Sequence, residues 1–337
     1  MITPGQPLPG VFGAAVPSGN NANLKTDGWE ISLNWNDQIK MKKPLTYGIR
    51  VTLSDNVSHI TKFNNPTGTL NGVSAAYGVT NYYKGERLGD VWGFVNDGFY
   101  ASAQDISGSP NETKFVNFSQ ANIPLPGDIK FKDLNHDGVI NNGNNTIYNP
   151  GDQKIIGNTS PRYAFGITPS VGWNNFFLSA FFQGIGHRDW SPTAEADYFW
   201  GQYNRPYAFL PVSTLDHWTP ANPNGYFPRY RGYEALSFPR ELYLPQTRYL
   251  QNAAYVRLKN MTVGYNLPAP ALQRLHLINM RFYFTGQNLW TYTPMHKHAP
   301  SYDPEVLGSD PQVDPTGGAG NDYPILKTYT LGMNLTF

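Results

Sequence analysis

The chain has 337 residues, a net charge of +1, 15% charged and 15% aromatic residues, 33 Gly, 28 Pro and no Cys. Near-neutral charge gives no electrostatic footing for nucleic acid or an acidic partner, and the lack of Cys removes disulfides and thiolate metal sites. No run of about 18 apolar residues occurs to form a spanning helix, yet the charged fraction lies well below the roughly 25% of an average soluble domain.

The start, Met1-Ile-Thr-Pro-Gly-Gln-Pro7, has neither the basic opening nor the apolar core of a signal peptide. If the protein sits in an outer membrane, the expectation is that this chain is the end of a longer one.

The first periodic segment is Trp29, Ile31, Leu33 and Trp35 alternating with Glu30, Ser32 and Asn34. A strand turns successive side chains to opposite faces, so the segment has one apolar and one polar side. Leu45, Tyr47, Ile49, Val51 and Leu53 alternate with Thr46, Gly48, Arg50, Thr52 and Ser54. Tyr163, Phe165, Ile167, Val171 and Trp173 alternate with Arg162, Ala164, Gly166, Thr168, Ser170 and Gly172. Weaker versions span Phe176–Gly184, Tyr255–Leu267 and Met280–Trp290. The last is the clearest: Tyr329, Leu331, Met333, Leu335 and Phe337 against Thr328, Thr330, Gly332, Asn334 and Thr336. Each is about ten residues, the length a tilted strand needs to cross a bilayer.

Connections alternate in length. Asp37–Pro44, Asn174-Asn175 and Pro268–Asn279 are short, whereas 64–161, the stretch from Gly184 to Asn252 and Thr291–Ile325 are long. Short turns on one side and long loops on the other are the arrangement of an outer-membrane barrel. The predicted fold class is all-β: the carboxy-terminal portion of an antiparallel transmembrane β-barrel, incomplete, with long extracellular loops. Arg257 and Lys259 share a phase with Met261, Val263 and Tyr265, which places charge on the oily face; a position above the hydrocarbon would remove the conflict. Seven strands leave two open edges, and unpaired N–H and C=O groups in lipid cost several kcal/mol each. A soluble β-sandwich also alternates, but it does not account for the aromatic load, the loop asymmetry or the aromatic terminus.

Four stretches stand out: Gln246–Pro268; Arg281–Thr293, centred on Gly286-Gln-Asn-Leu-Trp290; Asp216-His-Trp-Thr-Pro220 with Asn222-Pro-Asn224 and Tyr226-Phe-Pro-Arg229; and Gly127–Gly138 with Ile156-Gly-Asn158. They resemble the SusC/RagA family of TonB-dependent outer-membrane transporters. Thr26–Trp35, Leu88–Tyr100 and the terminal strand also fit, so the likeness runs nearly end to end. The resemblance implies a barrel of about 22 strands with an amino-terminal plug. Residues 1–337 would be its carboxy-terminal part, lacking the plug, the first strands and the region that meets TonB. It further implies residence in the cell outer membrane among its lipids, energy-coupled uptake of glycans or peptides, and a SusD-like lipoprotein partner. A fragment without the plug should not transport alone.

One motif has metal chemistry. Asp133, Asn135 and Asp137 supply oxygens at positions 1, 3 and 5, Gly138 stands at 6, and Val139 offers its carbonyl at 7, the opening of a calcium loop. Position 12 is Asn144 rather than a carboxylate. The resemblance implies that Asp152 supplies the remaining ligand across the insertion 142–151. Calcium would act there as a structural cofactor of a loop; an Asx-rich loop bonding its own backbone is the metal-free alternative.

The second long loop gathers Trp190, Tyr198, Phe199, Trp200, Tyr203, Tyr207 and Trp218. Trp190, Tyr198, Trp200 and Trp218 are candidates for a substrate or partner face, because aromatic rings suit both sugars and protein contacts; packing of the loop on itself explains them equally well. Tyr82, Tyr83, Trp92, Phe94, Phe99 and Tyr100 are expected to build a hairpin in the first loop. His187, Asp189, Glu195 and Asp197 lack any sign of a glycosidase carboxylate separation, and His296 with His298 is an i,i+2 pair that could hold a metal on a strand. No catalytic residue is identified and no enzyme activity is expected. Two other readings stay open, a surface glycan-binding β domain and, more weakly, a secreted hydrolase.

Overall fold

The computed structural model describes residues 2–4, 18–20, 22–70, 82–116, 118, 123–194, 196–204, 210–231, 240–307 and 323–337. Seven strands form one antiparallel sheet: β1 (Ala22–Ile39), β2 (Leu45–Phe63), β3 (Arg162–Trp173), β4 (Phe176–His187), β5 (Tyr255–Asn266), β6 (Asn279–Tyr292) and β7 (Thr328–Thr336). Spatial order equals chain order, so the sheet is a plain up-and-down meander, open at β1 and β7 among the described residues. β1 and β2 run well beyond their predicted spans, at 18 and 19 residues.

Local chemistry explains the tight ends. Asn174 and Asn175 both have positive φ (47° and 70°), the conformation a two-residue hairpin turn demands and Asn tolerates. Between β5 and β6 the chain makes a short helix, Ala269–Leu275, begun after Pro268 and closed by His276 in the left-handed region.

Register aligns the apolar phases. Leu45, Trp173, Phe176, Tyr265, Phe282 and Met333 are successive cross-strand neighbours from β2 to β7, and so are Tyr47, Val171, Leu178, Val263, Phe284 and Leu331. A one-residue slip would break these rows, because side chains change face at every step. The rows are not covered by protein: Phe176 is 55% and Leu331 84% exposed. Leaving such a side chain in water forfeits roughly 1.5–3 kcal/mol each. The opposite face carries Ser32, Asn34, Thr52, Ser170, Thr262, Thr285 and Thr330. Among the described residues no helix is long and apolar enough to cross a membrane, which says nothing against strands doing so.

The buried apolar cluster lies elsewhere. Phe94, Phe131 and Ile140 from the first long loop join Trp190, Phe199, Trp200, Phe227 and Tyr249 from the second, and Met295, Tyr302 and Leu307 from the third. The three long loops therefore share one dry core at one end of the sheet. The expected hairpin in the first loop does not form as such. Asp90–Phe94 pairs with Gln153–Asn158, and Asn96–Phe99 with Ile129–Phe131, so each strand closes on a later part of the loop instead of on its neighbour.

Candidate functional site

The Asp133 loop is built on backbone donors. Asp133 Oδ1 accepts from the His136 N–H at 2.6 Å and Oδ2 from the Gly138 N–H at 2.9 Å. Asn135 Oδ1 accepts from the Asp137 N–H and Asp137 Oδ1 from the Val139 N–H. The Val139 carbonyl accepts from the Asn141 amide at 3.2 Å. His136 and Gly138 take positive φ (62° and 79°) to turn the chain. The insertion does bring Asp152 back: its two oxygens accept from the Leu134 and Asn141 N–H groups, both at 2.8 Å. Burial pushes the Asp133 carboxyl up, but the Gly138 and His136 N–H groups outweigh it, and it ends below its ordinary value. Asp152 is fully buried, and there burial prevails and raises it. The donors suit a hard cation in kind. Among the described residues, however, no three His, Cys, Asp or Glu side chains gather as a metal-holding group.

The aromatic candidates separate by burial. Trp190, Trp200 and Trp218 are buried, whereas Tyr198 is 53% exposed. Trp200 meets Phe199 and Tyr249 edge-on at 4.8 and 5.1 Å, and its indole N–H reaches the Thr193 carbonyl at 2.8 Å. Trp190 packs on Tyr302 at 4.8 Å. The Arg229 guanidinium lies over Trp218 at 5.6 Å. Packing of the loops on one another thus occupies the three tryptophans, and of the four only Tyr198 offers its ring to solvent. Tyr207 and Glu195 lie outside the described residues. His187 approaches Asp189 at 3.4 Å, but Asp197 stands on a separate short helix, Asp197–Trp200. His296 and His298 do not act as a pair: His296 reaches the Tyr302 carbonyl at 3.0 Å, while His298 stacks on Tyr226 at 3.6 Å.

The joint between sheet and loops was not legible in the sequence. β5 carries an irregularity at Lys259: Asn260 pairs with Phe181, and the next pair is Leu258 with Phe182. The extra residue reverses the phase, as a bulge does. Leu258 therefore joins Trp290 and Phe182 on the apolar face, and Arg257 falls opposite Gln183 and Thr291. This change of face takes Arg257 off the apolar side of β5. Arg257 is 3% exposed and bonds Asp303 at 2.5 Å, Glu305 at 2.8 Å and the Thr291 hydroxyl at 2.8 Å; Lys259 also meets Glu305, at 2.7 Å. From the end of β4, Arg188 donates to the Leu307 carbonyl at 2.9 Å. Arg257 of the wall and Arg188 just beyond β4 thus hold Asp303–Leu307 of the third loop. A second irregularity, Tyr163 with φ 55°, accompanies a two-point pairing of Arg162 with Asp55, both contacts at 2.5 Å.

An apolar-faced meander capped by packed long loops has the architecture of a section of β-barrel wall. The chain is similar to TonB-dependent receptors. It is 27% identical to TonB-dependent receptor P3 and 26% identical to TonB-dependent receptor P26 of Formosa agariphila, over 98% and 94% of its length, and it spans about 30% of the length of each. Its fold matches solved structures of the RagAB peptide transporter and of the RagAB peptide importer in an open-open state. TM-scores are 0.64 and 0.64, sequence identity is 20% in both, and coverage is 98% and 100% of this chain against 31% of that chain in each. The SusC/RagA resemblance read from the sequence stands. No protein-family model matches the chain.

Proposed function

We propose that this chain is part of an outer-membrane, TonB-dependent importer of glycans or peptides. Its seven strands form a section of barrel wall with the short turns in the periplasm and the long loops outside the cell. One observation carries the reading: the apolar face of the sheet is bare while the dry core sits in the loops. Contiguous apolar surface on this scale marks contact with a membrane or a partner, and the alternate polar face suits a wet lumen. The open edges of β1 and β7 call for further strands, since lipid cannot satisfy their N–H and C=O groups. Those strands, the plug and the region that meets TonB lie outside residues 1–337, so these residues alone do not transport. The relatives are named receptors and transporters, and no enzymatic role is assigned.

The partner is a SusD-like lipoprotein seated on the extracellular loops. The RagAB name, a peptide importer, supports peptide cargo; Tyr198 in the loop assembly equally serves a sugar ring. The Asp133 loop is proposed to bind calcium through Asp133, Asn135, Asp137, the Val139 carbonyl and Asp152, as a stabiliser of that loop. An epitope tag after Tyr148 or Val212, both highly exposed, tests the topology. Antibody should reach it on intact cells, and the protein should leave the membrane fraction only with detergent. A tag reached only in lysed cells, or protein soluble without detergent, would overturn the reading in favour of a soluble glycan-binding domain.

A further inference from the structure

Three carboxylates are buried where the first and second long loops meet. Glu112 and Asp128 come from the first loop and Glu241 from the second, and all are almost fully enclosed. Among the described residues each has one oxygen without a hydrogen-bond partner: Glu112 Oε2, Asp128 Oδ1 and Glu241 Oε2. Asp128 is compensated across the loops by Arg231 at 2.5 Å and by the Leu125 N–H at 2.6 Å. Glu112 Oε1 takes the Phe131 N–H at 2.6 Å, and the Glu112 carboxyl also hydrogen-bonds Tyr100. The loops cross by main-chain bonds around this cluster: Phe94 N–H to Pro245, Thr247 N–H to Phe94, and Arg229 N–H to Gly127, at 2.8, 3.1 and 2.8 Å.

Cations stand near both glutamates, but among the described residues neither Glu112 nor Glu241 forms an ion pair. Around Glu112 stand Tyr100, Lys130 and Glu241; Lys130 is already paired with Asp105 at 2.9 Å. Around Glu241 stand Asp128, Arg231, Arg240 and Tyr203, and Arg229 faces Asp128. Arg231 is engaged by Asp128. A buried carboxylate with no ion-pair partner takes up a proton instead of holding its charge. We propose that Glu112 and Glu241 form a proton-dependent lock between the first and second extracellular loops, closed while both are neutral and loosened when both ionise.

Burial, first of all, pushes Glu112 and Glu241 up to about 8 each. Both carboxyls are thus held above their value in opened loops. The lock is then at full strength below the ordinary glutamate range, weakens as pH rises from there, and reaches its loosest state above about pH 8. The lock does not depend on what the loops carry, and its test needs no transport.

Hydrogen exchange of the full chain in bilayers at pH 6 and pH 9, corrected for intrinsic rates, reads the crossing amides of Phe94, Arg229 and Thr247. Protection should fall on the order of tenfold or more at pH 9. In Glu112→Gln/Glu241→Gln it should stay high at both pH values, since the amides keep the shape without the titration. Wild-type protection that ignores pH would overturn the lock, as would a double variant that keeps the wild-type response. If the double variant does not fold, Glu241→Gln alone should show a smaller response, and an unchanged one would equally sink the idea.

Discussion

Leu331 in the last wall strand is 84% exposed, whereas Trp200 in the second loop is 1% exposed. The wall spreads its apolar side chains over an outer face and leaves nothing of its own to cover them. The loops gather theirs from three distant stretches into one interior. The same residue types thus follow opposite rules within one chain. The difference teaches that solvent, as well as sequence, sets what a hydrophobic residue does: the loops fold against water, the wall against something apolar.

Breaking the joint between the two regions should have the largest effect. Arg257→Met leaves Asp303 and Glu305 without the guanidinium that pairs them, and removing one partner of a buried ion pair costs roughly 3–5 kcal/mol. The third loop should become cleavable by trypsin while the wall strands stay protected; unchanged cleavage would show that Lys259 and Arg188 hold the loop unaided. Trp200→Ala, within the loop core, should cost about 3–5 kcal/mol of loop stability. Loss of near-ultraviolet circular dichroism with retained β-signal would confirm that the loops melt separately. Loss of both together would mean that the regions fold as one.

The wall prediction is smaller and depends on the medium. Val263→Arg, on the bare face of β5, should cost roughly 2–4 kcal/mol in a bilayer, as charge at mid-membrane does. Thr262→Arg, one residue away on the other face, should cost much less in the same urea titration. Equal penalties would erase the distinction between the faces. The smallest effect belongs to the Asp133 loop: calcium should slow hydrogen exchange in residues 133–152 relative to chelator, and Asp133→Asn should abolish the difference. Identical exchange with and without calcium would leave the loop held by its own backbone.

Much of the wall was legible. Alternation in Tyr329–Phe337 and in the other segments predicted each strand, and loop lengths predicted the meander, because both are local properties of the chain. Arg257 was misplaced for an instructive reason. Counting by twos assumes an unbroken pleat, and the extra residue at Lys259 is defined only by its neighbours on β4 and β6. The loops were far less legible. Trp190, Trp200 and Trp218 read equally well as a binding face or a core, since aromatic residues serve both. Glu112 and Glu241 gave no signal at all, because a carboxylate in a polar loop ordinarily stands in water.

By itself the sequence determined which side of each strand is oily, except in β5 beyond its bulge, and where the tight turns fall. Both are fixed within a few residues by pleat geometry and turn chemistry. Tertiary structure alone decided that Arg257 faces Asp303, that three tryptophans are enclosed, and that two glutamates of separate loops are buried. Those outcomes join residues far apart in the chain, and no local pattern records which distant segments will share a dielectric.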